Sequence, residues 1–115
     1  MGTRSTIKFY DEDEFICAVY QQFDGYIDGV GKQVVDFISS KSFVNGIGRD
    51  ENVFNGYHCF IAQFISNFKT SAGGLYMTSK DDEQEFNYIV KKQNKKIIIS
   101  CIEESQYGIE VDIVY

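Results

Sequence analysis

Alternating apolar and polar positions at the start of the chain predict a β-hairpin. In residues 5–10, Ile7 and Phe9 fall on one face of a strand and polar residues fall on the other. The polar run DEDE then predicts a turn, and the β-branched and aromatic segment 15–21 predicts the second strand. The C-terminal half predicts four more strands, separated by turns at KDDEQ, QN and EESQY. Their segments are LYMTS, EFNYIV, KIIISCI and GIEVDIVY.

The middle of the chain has the longer period of amphipathic helices. After the glycine-rich stretch FDGYIDGVG, apolar residues recur every three or four positions, which predicts a helix from Ile27 or Gly29 to Ser39. Turn residues in 40–55 predict a loop with room for a short strand at Ser42–Val44. Asn55 is a candidate N-cap for a second helix, which ends before Gly73-Gly74. Its apolar stripe comprises Tyr57, Phe60, Ile61, Phe64, Ile65 and Phe68.

The element order is therefore ββααββββ. Strands grouped at both ends around two central helices favour an α+β two-layer sandwich. We expect a twisted antiparallel sheet with both helices on one face, in a single domain that spans 1–115.

Composition narrows the class of protein. Hydrophobic residues make up 43% of the 115 residues, and the net charge of −6 disfavours bulk nucleic-acid binding. No apolar run is long enough for a membrane helix and no leader is apparent, so we expect a cytoplasmic protein without membrane association. Cys17, Cys59 and Cys101 are widely spaced and only one histidine is present. We therefore expect buried thiols, no metal and no cofactor.

The glycine-rich stretch does not match a nucleotide phosphate loop. A Walker A motif needs four residues between its glycine and Gly-Lys, followed by Ser or Thr. Here five residues separate Gly25 from Gly31, and Gln33 follows Lys32; no GxGxxG occurs either. Two interpretations stay open: the glycines serve a bend before the helix, or amides at the helix start hold an anion.

Other polar residues allow a functional and a structural interpretation. Tyr20, Gln22, Asp24 and Tyr26 could stack on a nucleobase and read its edge, or they could form a polar strand end. His58 could be a general base, although the sequence names no partner for it. The lysines of KKQNKK could bind phosphate, or they could solvate a hairpin tip.

The whole chain resembles a family of small phage and bacterial proteins to which no activity is assigned. The family begins MGTRS and continues with Y-R-Q-x-D-G-Y-P, G-x-G, N-G, N-G-x-x-C-x-A-Q-x-x-x-x-F-K and G-G-[IL]-Y. Two departures stand out, Gln21 in place of Arg and Ile27 in place of Pro. The matching residues are Met1 to Ser5, Tyr20, Gln22, Asp24, Gly25, Tyr26, Gly29, Gly31, Asn45, Gly46, Asn55, Gly56, Cys59, Ala62, Gln63, Phe68, Lys69, Gly73, Gly74 and Tyr76.

This resemblance implies a phage-type setting in a bacterial host cell. The leading hypothesis is a non-enzymatic, homo-oligomeric protein that sequesters a nucleotide-like immune second messenger and so counteracts host defence. The alternatives are a protein-interaction inhibitor of a host defence factor and a small nucleotide-cleaving enzyme that uses His58 with Asp24. The candidate ligand-binding residues are Arg4, Ser5, Tyr20, Gln22, Asp24, Gly25, Tyr26, Asn45, Asn55, His58 and Gln63.

Overall fold

The computed structural model describes residues 2–44 and 52–113. Eight strands and two α-helices follow one another along these residues, with one π-helical turn before the first helix. They are β1 Ser5–Asp11, β2 Glu14–Gln21, the π turn Ile27–Gly31, α1 Lys32–Ile38, β3 Ser42–Val44, β4 Val53–Asn55, α2 Tyr57–Phe68, β5 Leu75–Thr78, β6 Phe86–Gln93, β7 Lys96–Cys101 and β8 Glu104–Asp112.

The main sheet has six strands in the order β5-β2-β1-β6-β7-β8. The predicted hairpin is present, with Ile7 opposite Val19, and the α+β two-layer class is confirmed. The sheet is mixed and not wholly antiparallel, because β6 pairs with β1 in parallel, starting with Ser5 opposite Phe86. Alternation within each segment could not reveal this, since it is the same for parallel and antiparallel neighbours.

The parallel pair depends on a connection that crosses one face of the sheet. After β5, at the far edge, residues 79–85 pass β2 and β1 and enter β6 beside the start of β1. Hydrogen bonds join this connection to the face, from Gln84 N to Asn87 Oδ1 (3.0 Å) and from Thr6 Oγ1 to the same oxygen (2.7 Å). Thr6 and Ala18 are fully buried on that face as a result.

The helices pack on the opposite face. The predicted first helix forms as a π turn followed by α1, and the second forms as α2. Seven phenylalanines join sheet, helices and the β3–β4 ribbon through ring contacts, and they belong to one hydrophobic cluster or pack against it. These are Phe9, Phe37, Phe43, Phe54, Phe60, Phe64 and Phe68.

Two local predictions are wrong. Asn55 does not cap α2: it ends β4, and Gly56 occupies the N-cap with φ of 88°, a conformation that glycine adopts at little cost. EESQY is not a turn, because β8 begins at Glu104 and only Ile102 and Glu103 connect it to β7. Pairing with β7 extends this polar segment into a strand despite its composition.

Candidate functional site

A cavity of about 260 Å³ opens on the helix side of the sheet, where β2 ends and β5 begins. We call it the glutamine pocket. Eight residues line it: Gln21, Phe23, Asp24, Gln33, Phe68, Thr70, Gly74 and Leu75.

Four separate segments bring these side chains together. Gln21 is the last residue of β2 and lies opposite Leu75 of β5. Gln33 comes from the first turn of α1, and Phe68 is the last residue of α2. Lys69 holds the return from α2 to β5, since its Nζ donates to the Leu75 carbonyl oxygen at 2.6 Å. The pocket is thus a junction between both layers of the fold.

Polar groups without partners distinguish this pocket. Gln21 is 8% exposed, and its side-chain amide makes no hydrogen bond to the described residues. The Oε1 atom of Gln33 is buried and likewise has no partner there. Ser5, directly opposite Gln21 in the β1–β2 ladder, is fully buried with an unpaired hydroxyl. The Ser5 and Gln33 oxygens are shielded from solvent, and each unmade hydrogen bond of that kind costs about 1–3 kcal/mol. The Gln21 amide instead keeps some contact with the cavity, where a ligand can reach it.

A second buried amide shows the usual arrangement. Asn87 is 3% exposed, and its Oδ1 accepts from Thr6 and from the Gln84 backbone amide. Its Nδ2 donates to the Gln84 carbonyl and to Glu103 Oε2 at 2.9 and 2.8 Å. All four hydrogen-bonding positions of this amide are used, in contrast to the free amide of Gln21.

The glycine-rich loop beside the pocket is held by its own backbone. Asp24 has φ of 60°, its carbonyl accepts from the Val30 amide at 2.8 Å, and the Gly29 amide donates to the Tyr26 carbonyl at 2.9 Å. The Tyr88 hydroxyl donates to the Gly25 carbonyl at 2.6 Å. Because the amides of Gly29 and Val30 already have partners, the structure favours the backbone role over the anion-binding role.

Close packing explains two of the loop glycines. A Cβ on Gly29 would overlap the carbonyl oxygen of Asp24. A Cβ on Gly25 would lie 2.8 Å from Cβ of Ser5 and 2.9 Å from the carbonyl oxygen of Thr3. Gly25 therefore lets the loop lie against the start of β1, and Gly29 lets the π turn close onto Asp24 within the loop.

The charge at the pocket is negative. Asp24 is the only charged side chain among the eight lining residues. Its Oδ1 accepts from the Tyr26 hydroxyl at 3.1 Å, and this hydrogen bond and the nearby carboxylate charge raise the pKa of Tyr26. The arrangement disfavours a phosphate inside the pocket.

Several predicted site residues lie near the pocket without lining it. Tyr20 precedes Gln21 in β2 and therefore projects to the opposite face, where its hydroxyl donates to Gln22 Oε1 at 2.8 Å. Tyr26 is 44% exposed on the loop. The Arg4 side chain is exposed and makes no ion pair with the described residues, while its carbonyl accepts from the Phe86 amide at 3.2 Å.

The remaining predicted residues are not brought to this pocket. His58 lies 3.0 Å from Asp11 at the far end of β1 from the loop that carries Asp24, and the strand itself spans about 20 Å. Asn55 precedes the start of α2, whereas Phe68 at its other end lines the pocket, about 17 Å away along the helix.

Gln63, another predicted site residue, is engaged elsewhere in the fold. The Gln63 amide is held within α2 and its neighbours, accepting from Lys41 Nζ at 2.9 Å and donating to the Val53 carbonyl at 3.0 Å. Asn45 lies outside the described residues. The proposed pairing of His58 with Asp24 is not formed.

The lysines of KKQNKK are largely neutralised. Lys91 lies 3.0 Å from Asp13, Lys92 lies 3.8 Å from Asp11, and Lys96 lies 3.4 Å from Glu110. These ion pairs favour the structural interpretation of the hairpin tip over a phosphate site.

No cluster of histidine, cysteine and acidic residues suited to a metal ion occurs in residues 2–44 and 52–113. The three cysteines are free, as expected, but only Cys101 is fully buried. Burial raises the pKa of Cys17 and Cys101, which keeps both in the thiol form at neutral pH.

Sequence reasoning singled out Asp24 and noted Gln21 only as a departure from the family pattern. It did not select Phe23, Gln33, Thr70 or Leu75, because these residue types give no local signal of binding. The unpaired amides become visible only when the burial of each side chain is known.

The fold and pocket define an α+β protein with a small cavity lined by both polar and apolar side chains, one of them charged. No protein-family model, curated protein or solved structure matches this chain. Within the described part of the chain, neither helix has the length and apolar character required to cross a bilayer.

Proposed function

We propose that this protein binds a nucleotide-like small molecule without transforming it, with a base-sized ring in the glutamine pocket. The observation that carries the proposal is Gln21, a side chain more than nine-tenths buried whose free amide lines a cavity. Folded proteins leave such groups unpaired at a cost, and a ligand that supplies the missing hydrogen bonds would recover it.

The size and walls of the pocket support a flat ligand. A volume of about 260 Å³ lies just below the roughly 300–1,000 Å³ of pockets that enclose whole drug-sized ligands. Phe23 and Phe68 contribute aromatic surface, and Phe23 is 58% exposed. Stacking on an aromatic side chain is worth about 1–3 kcal/mol per base. A ring would enter the pocket, and its sugar and phosphate would remain outside.

Binding without turnover is supported by the chemistry of the lining residues. Asp24 is the only titratable group among them, and neither a histidine nor a lysine lines the pocket to activate the Thr70 hydroxyl. His58, the candidate base, is paired with Asp11 at the other end of β1. General acid–base catalysis requires groups within hydrogen-bonding reach of one substrate.

The biological setting in this proposal comes from the resemblance to phage and bacterial proteins. Sequestration of a nucleotide second messenger in the bacterial cytoplasm would counteract host defence without catalysis. A homo-oligomer would present several such pockets and raise the ligand capacity of each particle.

A depletion-and-release assay tests the proposal. The protein is mixed with a panel of cyclic nucleotides and cyclic ADP-ribose-type molecules and then filtered, and the filtrate is assayed by mass spectrometry before and after heat release. A ligand that disappears and returns intact supports sequestration, and one that returns altered supports an enzyme. Gln21→Met should abolish depletion, whereas Gln106→Met, on the exposed β8 strand, should not.

Inhibition of a host protein is the second proposal, favoured by the β5 edge. Tyr76 and Met77 are 48% and 60% exposed on this short edge strand, beside an apolar cavity of about 270 Å³. Exposed edges can accept a strand from a partner. A stoichiometric complex recovered from host lysate, unaffected by nucleotides and lost in Met77→Lys, would support this role.

A further inference from the structure

The hydrogen-bonding groups of the glutamine pocket are unequally divided between donors and acceptors. The exposed Asp24 carboxylate accepts the Tyr26 hydroxyl and keeps further acceptor positions. Gln33 Oε1, which has almost no accessible surface, has no donor among residues 2–44 and 52–113. Lysine, arginine and histidine are absent from the eight lining residues. The Asp24 carboxylate therefore gives the pocket an excess of acceptors, which a ligand with hydrogen-bond donors would match.

We propose that the pocket selects a guanine-type ring edge, an inference that rests on the nucleotide-binding function proposed above. Guanine presents two adjacent N–H donors, N1–H and the N2 amino group, next to the carbonyl oxygen O6. A carboxylate such as Asp24 accepts from both donors, and the free Gln21 amide can donate to O6.

Other ligand groups complement the pocket less well. Adenine offers a single amino group beside unprotonated ring nitrogens, and these nitrogens would face the Asp24 carboxylate as acceptor against acceptor. A phosphate would place its negative charge beside the same carboxylate. The donor-rich edge of guanine avoids both conflicts.

The ring would stack on Phe23. This side chain lines the pocket while remaining 58% exposed, so a large aromatic surface is available to a ligand. The loop backbone is held before and after Phe23. The Gln22 amide donates to the Gly74 carbonyl and the Gly25 amide donates to the Thr3 carbonyl, both at 2.9 Å. A wall held in place in this way favours a rigid planar ligand.

Titration calorimetry with guanosine, inosine, adenosine and inorganic phosphate tests this selectivity. We expect guanosine to bind at least tenfold more tightly than adenosine, with inosine weaker than guanosine because it lacks the N2 amino group. Phosphate should neither bind nor compete. Asp24→Asn should weaken guanosine binding at least tenfold, and asparagine tolerates the left-handed backbone at this position.

Asp28→Asn is the matched control. Asp28 is an exposed carboxylate in the adjoining π turn and does not line the pocket, so this variant should bind guanosine within twofold of the wild type. Equal binding of adenosine and guanosine, with no effect of Asp24→Asn, would overturn the guanine inference and leave nucleotide binding intact. Phosphate competition would also overturn it. No binding of any nucleoside, mono- or cyclic nucleotide by folded protein would overturn both proposals.

Discussion

Replacing Gln21 with Met should make the protein more stable and unable to bind its ligand. The side chain is 8% exposed and its amide has no partner among the described residues. Methionine has a similar length and carries no group that must be hydrogen-bonded. A fully buried, unpaired amide costs about 1–3 kcal/mol, and the substitution removes an amide that is mostly buried but keeps some contact with the cavity.

The lower end of that range applies because part of the side chain faces the cavity. For 115 residues, the entropy of unfolding is about 0.24 kcal/mol per kelvin. A gain of about 1 kcal/mol in the free energy of unfolding then raises the melting temperature by about 4 °C. Thermal unfolding followed by circular dichroism measures this shift, and the depletion assay measures binding on the same samples.

Asn87→Leu is the contrasting variant. It removes an amide that is 3% exposed and fully hydrogen-bonded, and it leaves Thr6, Gln84 and Glu103 without their partner. We expect it to lower the free energy of unfolding by about 3 kcal/mol. If Gln21→Met destabilises the protein as Asn87→Leu does, the Gln21 amide has a structural role and the argument for the pocket fails.

Three further variants test the loop, the Asn87 network and the histidine. Gly29→Ala should lower the free energy of unfolding, measured by denaturant titration, by about 1–3 kcal/mol, because the Cβ of alanine would overlap the Asp24 carbonyl oxygen. An unchanged denaturation midpoint would contradict the packing described for this loop. Burial alone would raise the pKa of Glu103, but hydrogen bonds from the side chain and backbone of Asn87 hold this pKa below its usual value. The stability from this group is present above the unfolded pKa of about 4.3 and is lost as pH falls through the lower folded pKa. Glu103→Gln should therefore reduce the acid sensitivity of thermal unfolding below about pH 4.3. Identical pH profiles for the variant and the wild type would refute this. His58→Ala should leave ligand depletion unchanged, since His58 contacts Asp11 at the other end of β1 from the pocket loop, and a loss of depletion would move the site there.

Local sequence patterns determined most of the secondary structure. Alternation around Ile7 and Phe9 predicted β1, and the three-to-four-residue spacing of apolar side chains predicted both helices. These predictions succeed because one buried face imposes its period on the residues of a single element. Asn55 shows where this reasoning is wrong: pairing with β3 placed it in a strand, and Gly56 took the cap.

The tertiary structure alone decided the strand order and the pocket. The parallel pairing of β1 with β6 joins residues 81 positions apart, and no period within either segment encodes its neighbour. Gln21 and Gln33 look like ordinary polar residues in the sequence, one at the end of a strand and the other in a helix. They become candidate binding residues because they are largely buried and make no side-chain hydrogen bonds with the described residues. Burial is a property of the packed layers rather than of either residue's local sequence.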